Sequence, residues 1–129
     1  MKITQGEMEA AVCEGISRFE VEYMGRGPTD ARCFLINDLL LIRLQGVLTA
    51  AEQHLVQAHA PEKGRDLLKS VRTELIEIAR PALETLVEKI TGTKVISLHH
   101  DISTVSGEEL IAFSLDRTPV FRQTTTKAR

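Results

Sequence analysis

Tryptophan is absent from the sequence, and its aromatic rings come from four phenylalanines and one tyrosine. That is too few to stack successive bases, which argues against a single-stranded nucleic-acid partner. Neither sign of charge dominates: sixteen Lys and Arg face eighteen Asp and Glu, for a net charge of -2, whereas a nucleic-acid-binding domain normally carries a clear basic surplus. Only two cysteines occur. Cys13 falls in a helical pattern and Cys33 in a strand pattern, with no C-x-x-C pair and no Cys/His ligand spacing, so both are expected as buried free thiols. No run approaches about 18 apolar residues, the minimum for a membrane-spanning helix. The opening MKITQGEMEAAV carries charge throughout and lacks the apolar core of a signal peptide. These absences point to a soluble, cytoplasmic chain with no nucleic-acid partner and no direct membrane insertion.

At 129 residues the chain fits one domain, long enough to bury roughly two thirds of its unfolded surface without a disulfide framework. Thr4 and Glu7 form a T-x-x-E capping box, and Met8, Val12, Ile16, Phe19 and Tyr23 follow at helical spacing. Gly25 is a natural terminator for this helix, and Pro28 keeps it from resuming. The segments ARCFLI and LLLIRLQ then flank Asn37-Asp38, a pair that tolerates the positive φ of a two-residue hairpin turn.

With that turn, Ile36 faces Leu39, Leu35 faces Leu40, Phe34 faces Leu41, Cys33 faces Ile42, and Arg32 faces Arg43. One side of the hairpin carries Ala31, Cys33, Leu35, Leu40, Ile42 and Leu44 and should lie on the helices. The other carries Phe34, Ile36, Leu39 and Leu41, with the two arginines toward its open end. A sheet covered by helices on one side should be polar on its second face. This one is apolar, so a cover is expected: the chain's own C-terminal segment, its second hairpin, or another copy in a homodimer.

Thr49 and Glu52 form a second capping box opening a short helix with Leu55 and Val56 inward, broken by Pro61 and Gly64. A long helix is predicted from about Arg65 to Ile90, burying Leu68, Val71, Leu75, Ile78, Ala82, Leu86 and Ile90, with Pro81 kinking or splitting it near 77–80. Gly92 ends it. KVISLHHDIS and ELIAFSLD read as two strands joined by a turn containing Gly107. The predicted fold is α+β, a four-stranded antiparallel sheet of two β-hairpins with helices packed on one face, in the order α-β-β-α-α-β-β. Residues 1–116 form the single domain, and 117–129 a polar, flexible C-terminal tail.

Three constellations carry possible chemistry. Arg26 in the Gly25-Arg26-Gly27-Pro28 elbow, with Arg32 and Arg43, suits a small anion such as bicarbonate, phosphate or a nucleotide phosphate, because two facing arginines repel unless something negative lies between them. Ion pairing with acidic residues of the long helix or a second subunit is the competing reading and the favoured one. His99 and Asp101 share one face of a strand while His100 points to the other, so a metal site there would need His54 or His59 as well, and a hydrogen-bonded histidine strand is favoured over a metal. Ser97, Ser103, Ser106 and Ser114 lie outside any G-x-S-x-G elbow, and neither cysteine has a motif-placed histidine. No catalytic residue and no cofactor is expected; a metal-dependent hydrolase or lyase is the weakest reading.

The stretches GRGPTDARCFLINDLLLIRLQGVLTAAEQHL, RDLLKSVRTELIEIARPALETLVEKITGTKVISLHHDIS and GEELIAFSLD together resemble the MpsC-like family, named after the C component of a sodium-translocating, membrane-potential-generating system. The resemblance runs from Thr4 to Asp116 and carries over no catalytic residue. It implies association with a bacterial membrane system for ions or inorganic carbon. The expected function is a soluble, non-enzymatic accessory or regulatory module, peripheral to the membrane through a transport-protein partner. The alternative is a small-anion or nucleotide sensor.

Overall fold

The structure, a computed structural model, describes residues 3–58 and 61–123. Helix α1 (Gln5–Phe19) starts at the predicted capping box, where the Thr4 hydroxyl accepts from the Glu7 amide and the Glu7 carboxylate accepts from the Thr4 amide. Its stripe of Met8, Val12, Ile16 and Phe19 is buried. The helix then widens into a π turn, Glu20–Met24, which stops at Gly25 with φ 87. A φ of that sign is where glycine replaces side-chain-bearing residues. The wider turn shifts the helical phase, so Tyr23 does not continue the stripe: it is 49% exposed, while Glu20 is fully buried.

Strands β1 (Asp30–Ile36) and β2 (Leu39–Gln45) form the predicted hairpin in the predicted register, from Ile36 opposite Leu39 to Arg32 opposite Arg43. Asn37 takes the positive φ, 58. Helix α2 (Ala50–Val56) begins at the second capping box, with Leu55 and Val56 half-buried against the core. Helix α3 (Pro61–Thr91) follows, then β3 (Val95–Ile102) and β4 (Glu109–Leu115). The antiparallel sheet has the order β1-β2-β4-β3. Helices α1 and α3 pack against one face of it and α2 packs on α3, so the fold is the predicted α+β arrangement.

Three expectations for the long helix need correction. Pro61 and Gly64 do not break the chain between helices; they lie inside the start of α3, Pro61 as its first residue, where a missing N-H costs nothing. Gly64 lets α2 and α3 meet, since a Cβ there would fall 2.2 Å from the Leu55 carbonyl oxygen. Pro81 does not split α3, which runs unbroken to Thr91. The proline is solvent-facing, so water can bond the carbonyl it leaves free. The predicted apolar stripe is also out of phase: Val71 and Ile78 are 45% and 70% exposed, whereas Leu68, Arg72, Ile76, Ala79, Leu83 and Val87 are buried.

Cys33 is buried and Cys13 half-buried, both as free thiols. Burial pushes the Cys33 thiol up to about 12, which leaves it inert. Of the C-terminal segment, Pro119 is buried, Phe121 packs on the core and the Arg122 amide donates to the Ile3 carbonyl at 2.8 Å. Residues 124–129 lie outside the described residues. Each sheet edge meets a helix-borne carboxylate: Glu9 of α1 accepts from the Leu35 amide of β1 at 3.1 Å, and Glu88 of α3 from the Val95 amide of β3 at 2.8 Å.

Candidate functional site

The face of the sheet turned away from the helices is open among the described residues. Neither the second hairpin nor residues 117–123 covers it. The registers lay out its side chains in three rows across β1, β2, β4 and β3: Ile36-Leu39-Ser114-Ser97, Phe34-Leu41-Ala112-His99, and Arg32-Arg43-Leu110-Asp101. Alternation puts these residues outward because their neighbours Leu40, Ile42, Ile111, Phe113 and Leu98 are buried inward. Phe34 is 43% and Ile36 54% exposed. The apolar residues expected on the free face of the hairpin are thus at the surface, and β4 sets the small Ser114 and Ala112 beside Leu39 and Leu41, and Leu110 beside Arg43.

The arginines occupy this face as expected and have partners there. Arg32 pairs with Asp30 of its own strand at 3.3 Å, and Arg43 pairs with Glu108, whose carboxylate also accepts from Gln45 at 3.2 Å. These acids come from β1 and from the turn before β4, where the long helix or a second subunit had been expected to supply them. Arg26 is spent differently: its Nε donates to the Gly46 carbonyl at 3.0 Å. With the Gly25 and Gly27 elbow behind it, Arg26 lines a recess of about 250 Å³ with Gly46, Gln53, Gln57 and Ser106. Neither Arg32 nor Arg43 lines that recess.

On β3, His99 Nε2 lies 3.3 Å from the Ser97 hydroxyl, and Asp101 pairs with Lys69 of α3 at 3.2 Å. The Ile102 amide and then Lys69 hold the Asp101 carboxyl below its usual range. Lys69 and Asp101 line an open cleft of about 780 Å³ with Arg65, Asp66, Thr104 and Glu108. His54 is exposed on α2, and His59 lies outside the described residues. Among the described residues no group of three or more His, Cys, Asp or Glu could hold a metal ion.

Sequence reasoning missed the centre of the molecule. Arg72 of α3 is fully buried, and its guanidinium forks onto Glu52 of α2, Nε to Oε2 at 3.0 Å and Nη2 to Oε1 at 2.8 Å. Nη2 also donates to the Val47 carbonyl at 3.1 Å, and Nη1 lies 3.4 Å from Glu20 Oε1 and 3.5 Å from Glu109 Oε1. Glu109 of β4 closes the chain of contacts on His100 of β3, Oε2 to Nε2 at 2.6 Å. His100 does point away from His99 and Asp101, as the strand alternation required.

Burial, followed by the charge of Glu109, pushes the Glu20 carboxyl up to about 9. The arrangement therefore stores a proton. Burial opposes the charged form of Glu52 as well, but Arg72 and the Thr49 amide outweigh it and hold that carboxyl below its usual range. Glu20 Oε2, Glu109 Oε1 and His100 Nδ1 are buried without a hydrogen-bond partner. None of these five side chains lines the recess or the cleft; the network ties α2, α3, the π turn, β3 and β4 together, with Arg72, Glu20 and Glu109 fully buried and Glu52 reaching solvent at its edge. Strand parity was the available signal: Glu109 is in phase with Ile111, Phe113 and Leu115, all buried.

A family model described as "Na+-translocating membrane potential-generating system (MpsC)" matches residues 4–117. Two proteins of Bacillus subtilis (strain 168) are similar along most of their length. "Uncharacterized protein YbcI" is 33% identical over 115 residues, 89% of this chain and 90% of that protein. "Uncharacterized protein YrhF" is 28% identical over 103 residues, 79% of this chain and 82% of that protein. No solved structure is a significant match.

Proposed function

Because the chain belongs to the MpsC family, we propose that it is a soluble, non-enzymatic accessory or regulatory module of an ion-translocating membrane system, cytoplasmic and held at the membrane through protein contacts. Among the described residues no helix is long and apolar enough to cross a bilayer, so such a role would rest on binding a membrane protein. The observation that carries the reading is the open outer face, where Phe34 and Ile36 stay exposed beside Leu39 and Leu41. Contiguous apolar surface of this kind on a folded domain marks an interaction site. The interior supports it too, because Glu20, the group whose protonation shifts most strongly, is fully buried and lines neither the recess nor the cleft.

The test is retention of an integral ion-translocating subunit from solubilised native membranes by the immobilised chain. Phe34→Asp is expected to lower retention at least about tenfold, since a buried aromatic anchor commonly carries 2 kcal/mol or more of binding energy. Equal retention by wild type and variant would overturn the reading.

A second reading, a sensor for a small anion or nucleotide phosphate, rests on Arg32 and Arg43 facing each other with side chains 65% and 52% exposed. Calorimetry with bicarbonate, phosphate and adenine nucleotides should then show binding by the wild type that Arg32→Ala or Arg43→Ala abolishes. No heat with any of these ligands removes this reading.

A further inference from the structure

The pattern of residues on the outer face narrows what can cover it. We propose that a second copy of the chain does so, as a face-to-face pair whose twofold axis runs parallel to the strands between β2 and β4, setting Arg32 of each protomer against the partner's Asp101. This rests on the reading of that face as a protein-contact surface and names its occupant.

The argument comes from the rows. An axis along the strands at the sheet midline lays β1 over the partner's β3 and β2 over the partner's β4, and keeps each row on itself. In the third row, Arg32 at one edge and Asp101 at the other then form two opposite-charge contacts at once. In the other rows, Leu41 falls on the partner's Ala112 and Leu39 on the partner's Ser114, so large side chains on β2 meet small ones on β4. Between the two charge contacts Arg43, paired with Glu108 of its own chain, lies over the partner's Leu110, so the self-match is of charge at the corners and of shape in the first two rows, with the same patch used by both copies as in an isologous interface. An axis across the strands forms no opposite-charge contact, because it sets Arg32 over the partner's Ile36 and Asp101 over the partner's Ser97, leaving both charges against uncharged surface.

Size agrees. Four strands about 4.8 Å apart and about 3.3 Å per residue give a face of roughly 440 Å² in flat projection. Two such faces, with side-chain relief added, reach the ~1,000 Å² at the low end for a specific interface. The ~30° rotation usual between packed sheets moves the corner residues by a few ångströms, within the reach of an arginine side chain.

The experiment uses Arg32→Asp and Asp101→Arg in the full chain, with oligomeric state followed by sedimentation equilibrium at low salt. Both side chains are largely exposed, 65% and 74%. In the proposed pair each variant alone opposes like charges twice, so its dimer dissociation constant should rise at least about tenfold. Mixed in equal amounts, the two variants regain both opposite-charge contacts, and the mixture should dimerise within about threefold of wild type. A mixture no tighter than either variant alone overturns the proposal. So does a wild type that stays monomeric at ~100 μM, far weaker than a specific interface gives. If that monomer still retains the membrane subunit in a Phe34-dependent way, the accessory reading stands and only the self-pairing falls.

Discussion

Arg72→Met is expected to lower the unfolding free energy by about 3–5 kcal/mol, the usual cost of leaving buried acidic groups without their cation. Methionine fills much of the same space, so the loss is electrostatic more than steric. What disappears is the fork onto Glu52, the bond to the Val47 carbonyl and the positive charge facing Glu20 and Glu109. Urea unfolding measures it, and an unchanged m value would assign the loss to the native state. Adding Glu20→Gln and Glu109→Gln to the same protein should recover at least about 1 kcal/mol, because neutral amides need no counter-charge. A single-variant loss under about 1 kcal/mol would show that the guanidinium does not hold the cluster together.

Glu20→Gln should change how stability depends on pH. The Glu20 carboxyl rises from 4.5 to about 9 in the folded chain, through burial first and then through Glu109. Between those values the folded state keeps a proton that the unfolded state releases. Stability from this group is therefore fully present below pH 4.5 and is lost as pH rises toward about 9. The slope is at most about 1.4 kcal/mol per pH unit for one proton. Groups facing Glu20 are Arg72 and Glu109, with Glu52 and His100 next in the network. Glutamine offers an N-H where the protonated carboxyl offers O-H, so the variant should lose that slope and outlast the wild type at alkaline pH. Urea midpoints from pH 6 to 9 that run parallel for the two proteins would show that Glu20 holds no such proton.

The hairpin was legible residue by residue because two independent signals agreed. Asn37-Asp38 set the turn, and the alternation of Cys33, Leu35, Leu40 and Ile42 set the faces. The long helix was legible as a helix but not in its phase, since a stripe chosen from apolar residues skips Arg72, the residue at its centre. A buried charge has no signature of its own in sequence, and its burial becomes rational only when Glu20, Glu52 and Glu109 arrive from three other elements. Tyr23 was misplaced for a related reason: the π turn adds about one residue to the repeat, which helical spacing does not foresee. The open face was visible as an excess of apolar residues on the wrong side of the hairpin. Its charge pattern needed β3 and β4 in register beside it.

A sheet that shows Phe34 and Ile36 to solvent would ordinarily invite runaway growth, with strands of other molecules adding at its margins. Here both margins are occupied from within. The Leu35 amide on one side and the Val95 amide on the other are held by Glu9 and Glu88, so an incoming strand must first dislodge a carboxylate and then lie beside its negative charge. Fibre-like stacking is thereby discouraged in the one direction in which it could propagate without limit. The molecule can display a sticky surface and remain dispersed.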